Sequence, residues 1–297
     1  MTKRTLYFGN PALLSTKLEQ LVIKRDDQPN VTAPIEDIGA VVLDHPAITF
    51  SQALLSKLLD SNVAVISTDE RHLPNGLFLP LAANFVQTER FAAQITVSAP
   101  LKKQLWRQTV RAKITNQARL LKKLGRPAPQ LANMVRGVRS GDAGSHESQA
   151  SRIYWKMVFG SSDFLRRRSG LPPNNLLNYG YAVLRAVIAR ALVAAGLLPT
   201  LGIHHHNRYN AYALADDLME PYRPFVDEQV AGLVAADMNL EVLSADIKRV
   251  LLEIPAGEVV MAGEHWRLMD AASVSAASLL SCFTQEARKL DFPVICP

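Results

Sequence analysis

The sequence predicts an α+β protein of two domains: a small β-rich N-terminal domain with one helix, residues 1–84, and a larger all-α C-terminal domain, residues 85–297. Three observations predict it. Short β-branched or alternating runs, separated by Gly, Asn and Pro, fill the chain up to Asn84. Beyond that point, apolar residues recur at helical spacing over long stretches. With 297 residues, 48% hydrophobic and 20% charged, the chain can also bury a substantial core.

Taken in order, residues 5–8, 18–24, 31–35 and 38–43 read as strands, divided by Gly9-Asn10-Pro11, residues 26–29 and Asp44-His45-Pro46. Thr49, with Gln52 three residues on, has the form of a capping box. The helix it opens repeats Phe50, Ala53, Leu54, Leu58 and Leu59 at helical spacing. Residues 63–66 return to strand, and Pro74-Asn75-Gly76 reads as a turn before a strand at 77–81. Helices then follow over 85–97 and 101–124, the latter with Leu105, Val110, Ile114, Leu121 and Leu124 as its buried stripe and its lysines and arginines, Lys113 among them, on the other faces. Further helices are predicted over 129–138, 146–159, 175–195, 212–238, 245–252 and 271–290, with a hairpin at 257–268 turning on Ala262-Gly263.

Composition excludes several classes. Two cysteines, Cys282 and Cys296, lack metal-type spacing, which argues against a disulfide framework and for a reducing cytoplasm. The N-terminal MTKRTLYFGN lacks the apolar core of a signal peptide. The longest apolar run, residues 181–199, carries Arg185 and Arg190 and reads as a buried helix and not a membrane span. The net charge of +6 is unevenly placed: residues 90–141 hold twelve Lys and Arg and no Asp or Glu, leaving the remainder net acidic. That asymmetry points to a polyanionic partner, most plausibly nucleic acid, against the alternative of a solvated helix face. Lys102, Lys103, Arg107, Arg111, Lys122 and Lys123 are the charge-based candidates for DNA contact, joined by Arg166, Arg167 and Arg168 in the irregular stretch 160–173.

The chemistry concentrates in GIHHHNRYNAYALADDLMEPYRP, residues 202–224. Imidazole plus carboxylate suits a divalent cation such as Mg²⁺ or Mn²⁺. Asp217 and Glu220, three apart, share one face of a helix, and Asp216 points away as a solvated residue. In one straight helix His205 and Glu220 would be separated by roughly 22 Å of rise. A shared ion therefore requires the chain to turn back around residues 206–210. Pro221 either bends a continuing helix or opens a new one. Arg223 either neutralises a phosphate or pairs with Asp217 or Glu220. Glu147, in GDAGSHESQASRIYW, starts a helix, where a carboxylate is ordinarily a partner of the helix dipole.

Three segments together carry a resemblance to the CRISPR-associated integrase family, the metal-dependent DNA endonucleases that capture new spacers. GDAGSHESQASRIYW resembles the family's first motif, a Glu followed by small residues and an aromatic pair. NNLLNYGYAVLRAVIARALVAAGLLPTLGIHH resembles the segment leading to its histidine, and NAYALADDLMEPYRPFVD its aspartate-rich helix ending in Glu-Pro-aromatic-Arg-Pro. The similarity spans essentially the whole chain and is greatest to the type II branch.

The resemblance implies a catalytic metal triad of Glu147, His205 and Glu220, with Mg²⁺ or Mn²⁺ bound, Asp217 and Arg223 in support, and His204 and His206 as flanking residues. It implies attack of a prespacer 3′-hydroxyl on a phosphodiester at the edge of a CRISPR repeat. It implies a homodimer joined through the N-terminal domain, two such dimers bridged by the small dimeric second adaptation subunit, double-stranded DNA as substrate, and the effector nuclease as a partner left open. The competing readings are a non-catalytic helical DNA-binding protein and a His-Asp type phosphohydrolase of small phosphoesters. The chain contains no His-Asp dipeptide.

Overall fold

β-Branched runs build the first strands as expected. In the computed structural model, which describes residues 3–296 except Asp27, Ser162, Arg168 and Asp237, these are β1 (Arg4–Phe8), β2 (Ala12–Lys17), β3 (Gln20–Lys24), β4 (Val31–Pro34), β5 (Ile38–Leu43) and β6 (Ile48–Phe50). Helix α1 (Gln52–Asp60) and strands β7 (Ala64–Thr68) and β8 (Pro74–Phe78) complete the first of two compact units, Met1–Phe85. One sheet has the order β1-β5-β7-β8, parallel except for the antiparallel edge strand β8; the other has the order β4-β3-β2-β6. Strand β5, buried along nearly its whole length, is the continuous apolar run IGAVVL expected of a central parallel strand. Leu14, Leu21, Ile35, Ile38, Leu54 and Leu58 join the two sheets and α1 in one core.

Three local readings change in this unit. The strand expected at 18–24 is the second arm of a hairpin whose tip, Leu18-Glu19, has both residues at positive φ. Ser51, not Thr49, caps α1: its hydroxyl accepts from the Leu54 N–H at 3.2 Å, and Thr49 belongs to β6. Pro74-Asn75-Gly76 lies inside β8, where the missing N–H of a proline is tolerated because the strand is an edge. The turn comes earlier, where the Asp69 carboxylate accepts from the Arg71 and Leu73 N–H groups.

The second unit, Val86–Pro297, contains α2 (Gln87–Ile95), α3 (Ala99–Lys123), α4 (Pro129–Gly137), α5 (His146–Trp155) and α6 (Asn174–Ala194). It continues with α7 (Ala213–Met219), α8 (Arg223–Ala235), α9 (Ala245–Glu253), β9 (Glu258–Met261), β10 (Glu264–Arg267) and α10 (Leu268–Phe283). It is therefore not all-α: β9 and β10 form an antiparallel hairpin, and Val294 bridges to Val260 beside it. Helix α6 is long and apolar enough to cross a bilayer, but 78% of its apolar window is buried within the protein, as a core helix requires. Its neighbours include α7, α8, α9 and α10.

The helix expected over 212–238 is interrupted. Glu220–Tyr222 forms a 3-10 turn between α7 and α8, because Pro221 has no N–H to continue the ladder. Asn116 of α3, fully buried, donates to the Pro221 carbonyl at 2.7 Å and fixes that kink. The final helix ends at Phe283 and not at 290; Gln285, at φ 65°, turns the chain away.

Candidate active site

Four elements bring charged side chains to one place: α3 supplies Lys113, the first turn of α5 supplies Glu147, the loop after α6 supplies His205, and the α7–α8 kink supplies Glu220 and Arg223. Lys113 is only 8% exposed. Its ammonium contacts Glu147 Oε1 and lies 2.5 Å from Glu220 Oε2. The basic residue expected on the outer face of α3 is thus inside, about one turn from both Val110 and Gln117 on the buried side.

Glu220 is buried and paired on both sides. Arg223 Nε donates to Oε1 at 2.8 Å, and Arg223 itself lies 4.6 Å over the Tyr181 ring. Burial alone would raise the Glu220 pKa, but Arg223, Lys113 and His205 hold it down at about 2. Burial also disfavours the Lys113 ammonium, and Glu220 and Glu147 outweigh that effect, so its pKa is raised. Lys113 and Glu220 are therefore both charged at neutral pH.

Residues 202–212 form bends and turns and not a helix, so the chain reverses between His205 and α7. Asp217, with no exposed surface, organises the reversal: it accepts from the His204 N–H at 2.9 Å, from the His205 N–H at 3.3 Å, and from His205 Nδ1. The hydrogen bond to Asp217 raises the His205 pKa against the effect of burial. With the Nδ1 proton on that hydrogen bond, Nε2 carries the lone pair that could bind an ion. Gly202 permits this approach, since a Cβ there would come within 2.5 Å of the His205 carbonyl and 2.8 Å of Asp217 Oδ2. His204 stacks on Trp106 with centroids 4.1 Å apart, a packing contact.

Glu147 is aimed by its helix start. Asp142 accepts from the N–H groups of His146 at 3.0 Å and Glu147 at 2.9 Å, capping α5. The small residues before Glu147 have a steric cause: a Cβ on Gly144 would meet the His146 ring at 2.5 Å. Asp216, expected in solvent, is buried instead and bonded to Arg185 Nε and Asn210 Nδ2, each at 2.7 Å.

The donor set of Glu147, His205 and Glu220 fits a hard-to-borderline divalent ion. Two carboxylates face each other across one cation, and buried Glu220 Oε2 makes no hydrogen bond of good geometry despite the nearby ammonium. The Lys113 ammonium occupies the space between the two carboxylates.

The basic residues divide into two groups. Arg107 Nε donates to the Val138 carbonyl, Arg111 to those of Val135 and Arg136, and Lys123 pairs with Glu228 at 2.9 Å. Arg166 bonds to Asn174 and Asn178 and lies over Tyr181. Lys102, Lys103 and Lys122 have no ion pair among the described residues; Lys103, Lys122 and Arg167 are exposed. Arg168 lies outside the described residues. A cavity of about 670 Å³ is lined by Arg107, Arg136, Arg139 and His146, the residue before Glu147; of these, only Arg107 is a candidate from the sequence.

A family model described as CRISPR associated protein Cas1 matches residues 6–253. The chain belongs to the Cas1 family. It is 35% identical to the CRISPR-associated endonuclease Cas1 of Neisseria meningitidis serogroup C (strain 8013), covering 100% of this chain and 98% of that one. A second relative, from Pyrobaculum aerophilum, is 28% identical over 67% of this chain and 72% of its own. In fold, the Cas1 chain resembles a CAS1 protein from Thermotoga maritima, with TM-score 0.73 at 16% identity, covering 95% and 97% of the two chains. It also resembles a casposase bound to its integration product, with TM-score 0.77 at 18% identity, covering 98% and 93%. As a Cas1, the chain is a CRISPR-associated endonuclease of the adaptation step.

Proposed function

We propose that Glu147, His205 and Glu220 are the metal ligands with which this Cas1 inserts prespacer DNA into a CRISPR array. The observation that supports it most is the convergence of Glu147 and Glu220 on one buried cation, beside a histidine whose ligand nitrogen is selected by Asp217. When bound, Mg²⁺ or Mn²⁺ supplies polarisation of the attacked phosphate and stabilisation of the charge that develops in an in-line displacement.

The chain's own groups do the rest. Glu147 and Glu220 supply the anionic oxygens, and His205 contributes Nε2 with Asp217 holding its ring. Arg223 keeps Glu220 ionised and oriented through a charge-assisted hydrogen bond. Lys113 balances the two carboxylates and would supply a positive charge close to the attacked phosphate. The prespacer 3′-hydroxyl replaces the leaving 3′-oxygen, one phosphodiester for another, with no nucleotide cofactor consumed.

The same reading gives double-stranded DNA, prespacer and repeat, as the substrate, lying along the cavity lined by Arg107, Arg136 and Arg139 and along the exposed lysines of α3. A homodimer joined through the N-terminal unit, bridged to a second dimer by a small Cas2-type subunit and working in the cytoplasm, accords with relatives seen in Cas1–Cas2 complexes. The test is a disintegration assay on branched DNA with Mn²⁺ or Mg²⁺, comparing wild type with His205→Ala and Glu220→Gln. Wild-type strand transfer, lost in both variants while DNA binding persists, is the expected result. Retention of activity in either variant removes the triad.

A further inference from the structure

Outside the active site, three metal-type donors meet on the β9–β10 hairpin. A carboxylate oxygen of Glu258, a ring nitrogen of His265 and the sulfur of Cys296 all lie within 4.8 Å of one another. Glu258 and His265 come from the two strands of one hairpin, and Cys296 from the distant C-terminal segment.

Backbone pairing puts them on one face. Val260 is the cross-strand partner of His265 in β10. On its other side Val260 exchanges both backbone hydrogen bonds with Val294, at 3.2 and 2.7 Å, so the C-terminal segment lies against β9 as a short antiparallel third strand. Two residues along, that register sets Cys296 beside Glu258, and Cys296 Sγ lies 3.9 Å from the Glu258 carbonyl. Residues 258, 260, 265, 294 and 296 therefore share a face, opposite the buried Val259, Met261 and Ile295.

The position of Cys296 is also built from beneath. Asn116 accepts the Ile295 N–H at 3.2 Å and donates to the Pro293 carbonyl at 3.0 Å, and Arg119 donates to the Ile295 carbonyl at 3.1 Å. Helix α3 thus holds the backbone leading into the cysteine before any metal is considered. His265 Nδ1 contacts Glu258 Oε1, which shows that the two side chains already reach each other across the exposed face.

We propose that Glu258, His265 and Cys296 form a Zn²⁺ site that fastens the C-terminal segment to the hairpin. The donor chemistry selects the ion: a thiolate and an imidazole suit Zn²⁺, whereas Mg²⁺ prefers oxygen, so this site does not compete with the active site for the same metal. Bonds of about 2.0 Å to nitrogen or oxygen and about 2.3 Å to sulfur place tetrahedral ligand atoms roughly 3.3–3.6 Å apart, inside the 4.8 Å span of the present cluster, with the His265–Glu258 contact opening to admit the ion. Glu258 and Cys296 also line a cavity of about 240 Å³ with Glu228 and Glu253, leaving room for a water at the fourth position. On binding, the Cys296 thiol releases its proton to solvent, and neither oxidant nor reductant is required.

The test uses the full chain, stripped with chelator under reducing conditions and titrated with Co²⁺ as the spectroscopic probe. A thiolate ligand produces a near-ultraviolet sulfur-to-cobalt charge-transfer band, which ions at His204–His206 or at the active-site carboxylates cannot produce. The expected result is a band saturating at one Co²⁺ per chain and removed by Zn²⁺. It should be absent in Cys296→Ser, retained in Cys282→Ser, and weakened by at least about tenfold in affinity in His265→Ala. Circular dichroism confirms that each variant is folded, and Zn²⁺ should slow backbone amide exchange at residues 294–296 in wild type alone. No band in the folded wild type, a band that survives Cys296→Ser, or a band seen only at millimolar Co²⁺ overturns the proposal.

Discussion

The Lys113 ammonium lies 2.5 Å from Glu220 Oε2 and reaches Glu147 at the same time, so one buried side chain joins the two carboxylates assigned to the metal. Replacing it with methionine leaves two carboxylates facing each other with a cation removed. Breaking a buried pair in this way costs about 3–5 kcal/mol. Lys113→Met should therefore lower the melting temperature of the metal-free protein, and saturating Mn²⁺ should raise it by several degrees more than in wild type. Calorimetry with and without Mn²⁺ makes the comparison. Equal metal-induced shifts in the two proteins would mean that lysine and ion do not share a place.

Asp217 has three hydrogen bonds to one short stretch, two from backbone and one from the His205 ring. Asp217→Asn preserves its shape and a carbonyl acceptor but removes the charge that makes Nε2 a better ligand. Metal affinity should fall about 10–100-fold with the fold retained, as is usual for a partner behind a ligating histidine. Isothermal titration with Mn²⁺ reads the loss, and an unchanged affinity would make Asp217 a loop fastener only.

A second buried network lies behind Arg223. The Tyr154 hydroxyl donates to Asp227 at 2.7 Å, the Tyr181 hydroxyl donates to its other oxygen, and Arg223 stands over the Tyr181 ring. Burial raises the Asp227 pKa from the ordinary 3.8 to about 6, even though the tyrosines and arginines pull it down. The native state then holds a proton that the unfolded chain has lost, so this contribution is complete below about pH 4 and disappears as pH rises through about 6. The stability of wild type relative to Asp227→Asn should fall by about 3 kcal/mol between those limits. Urea denaturation at pH 4, 5, 6 and 7 measures it, and a constant difference would show that Asp227 is ionised throughout.

Much of this was legible in the sequence because it follows from periodicity and punctuation. The long helices came from apolar spacing, and the turn between His205 and α7 followed from the reach of a metal ion. What was hidden has particular causes. The β2–β3 hairpin turns on Leu18-Glu19, neither a residue type that advertises positive φ. Lys113 looked like its basic neighbours, although its spacing from Val110 and Gln117 was a signal for the buried face. Asp216 looked solvated because its partners, Arg185 and Asn210, lie on other segments. Pair partners distant in sequence are what a single chain read in order does not reveal.

The basic stripe on α3 holds the protein together as well as carrying charge, which changes how its DNA role must be tested. Arg107 and Arg111 donate to carbonyls at the end of α4, and Arg119 to the C-terminal segment, so alanine at those sites would loosen structure and affinity together. Lys102, Lys103 and Lys122 have neither a carbonyl acceptor of this kind nor an ion-pair partner among the described residues, so alanine there removes charge without breaking a hydrogen bond. The triple alanine variant should melt with the wild type, while each lost phosphate contact lowers the slope of log affinity against log salt by about 0.9 on duplex DNA. Loss of all three contacts lowers it by about 2.7. Fluorescence anisotropy with a labelled duplex from low to moderate salt supplies the slopes. An unchanged slope would place the duplex elsewhere, and the recess lined by Arg136, Arg139 and His146 would be the next surface to substitute.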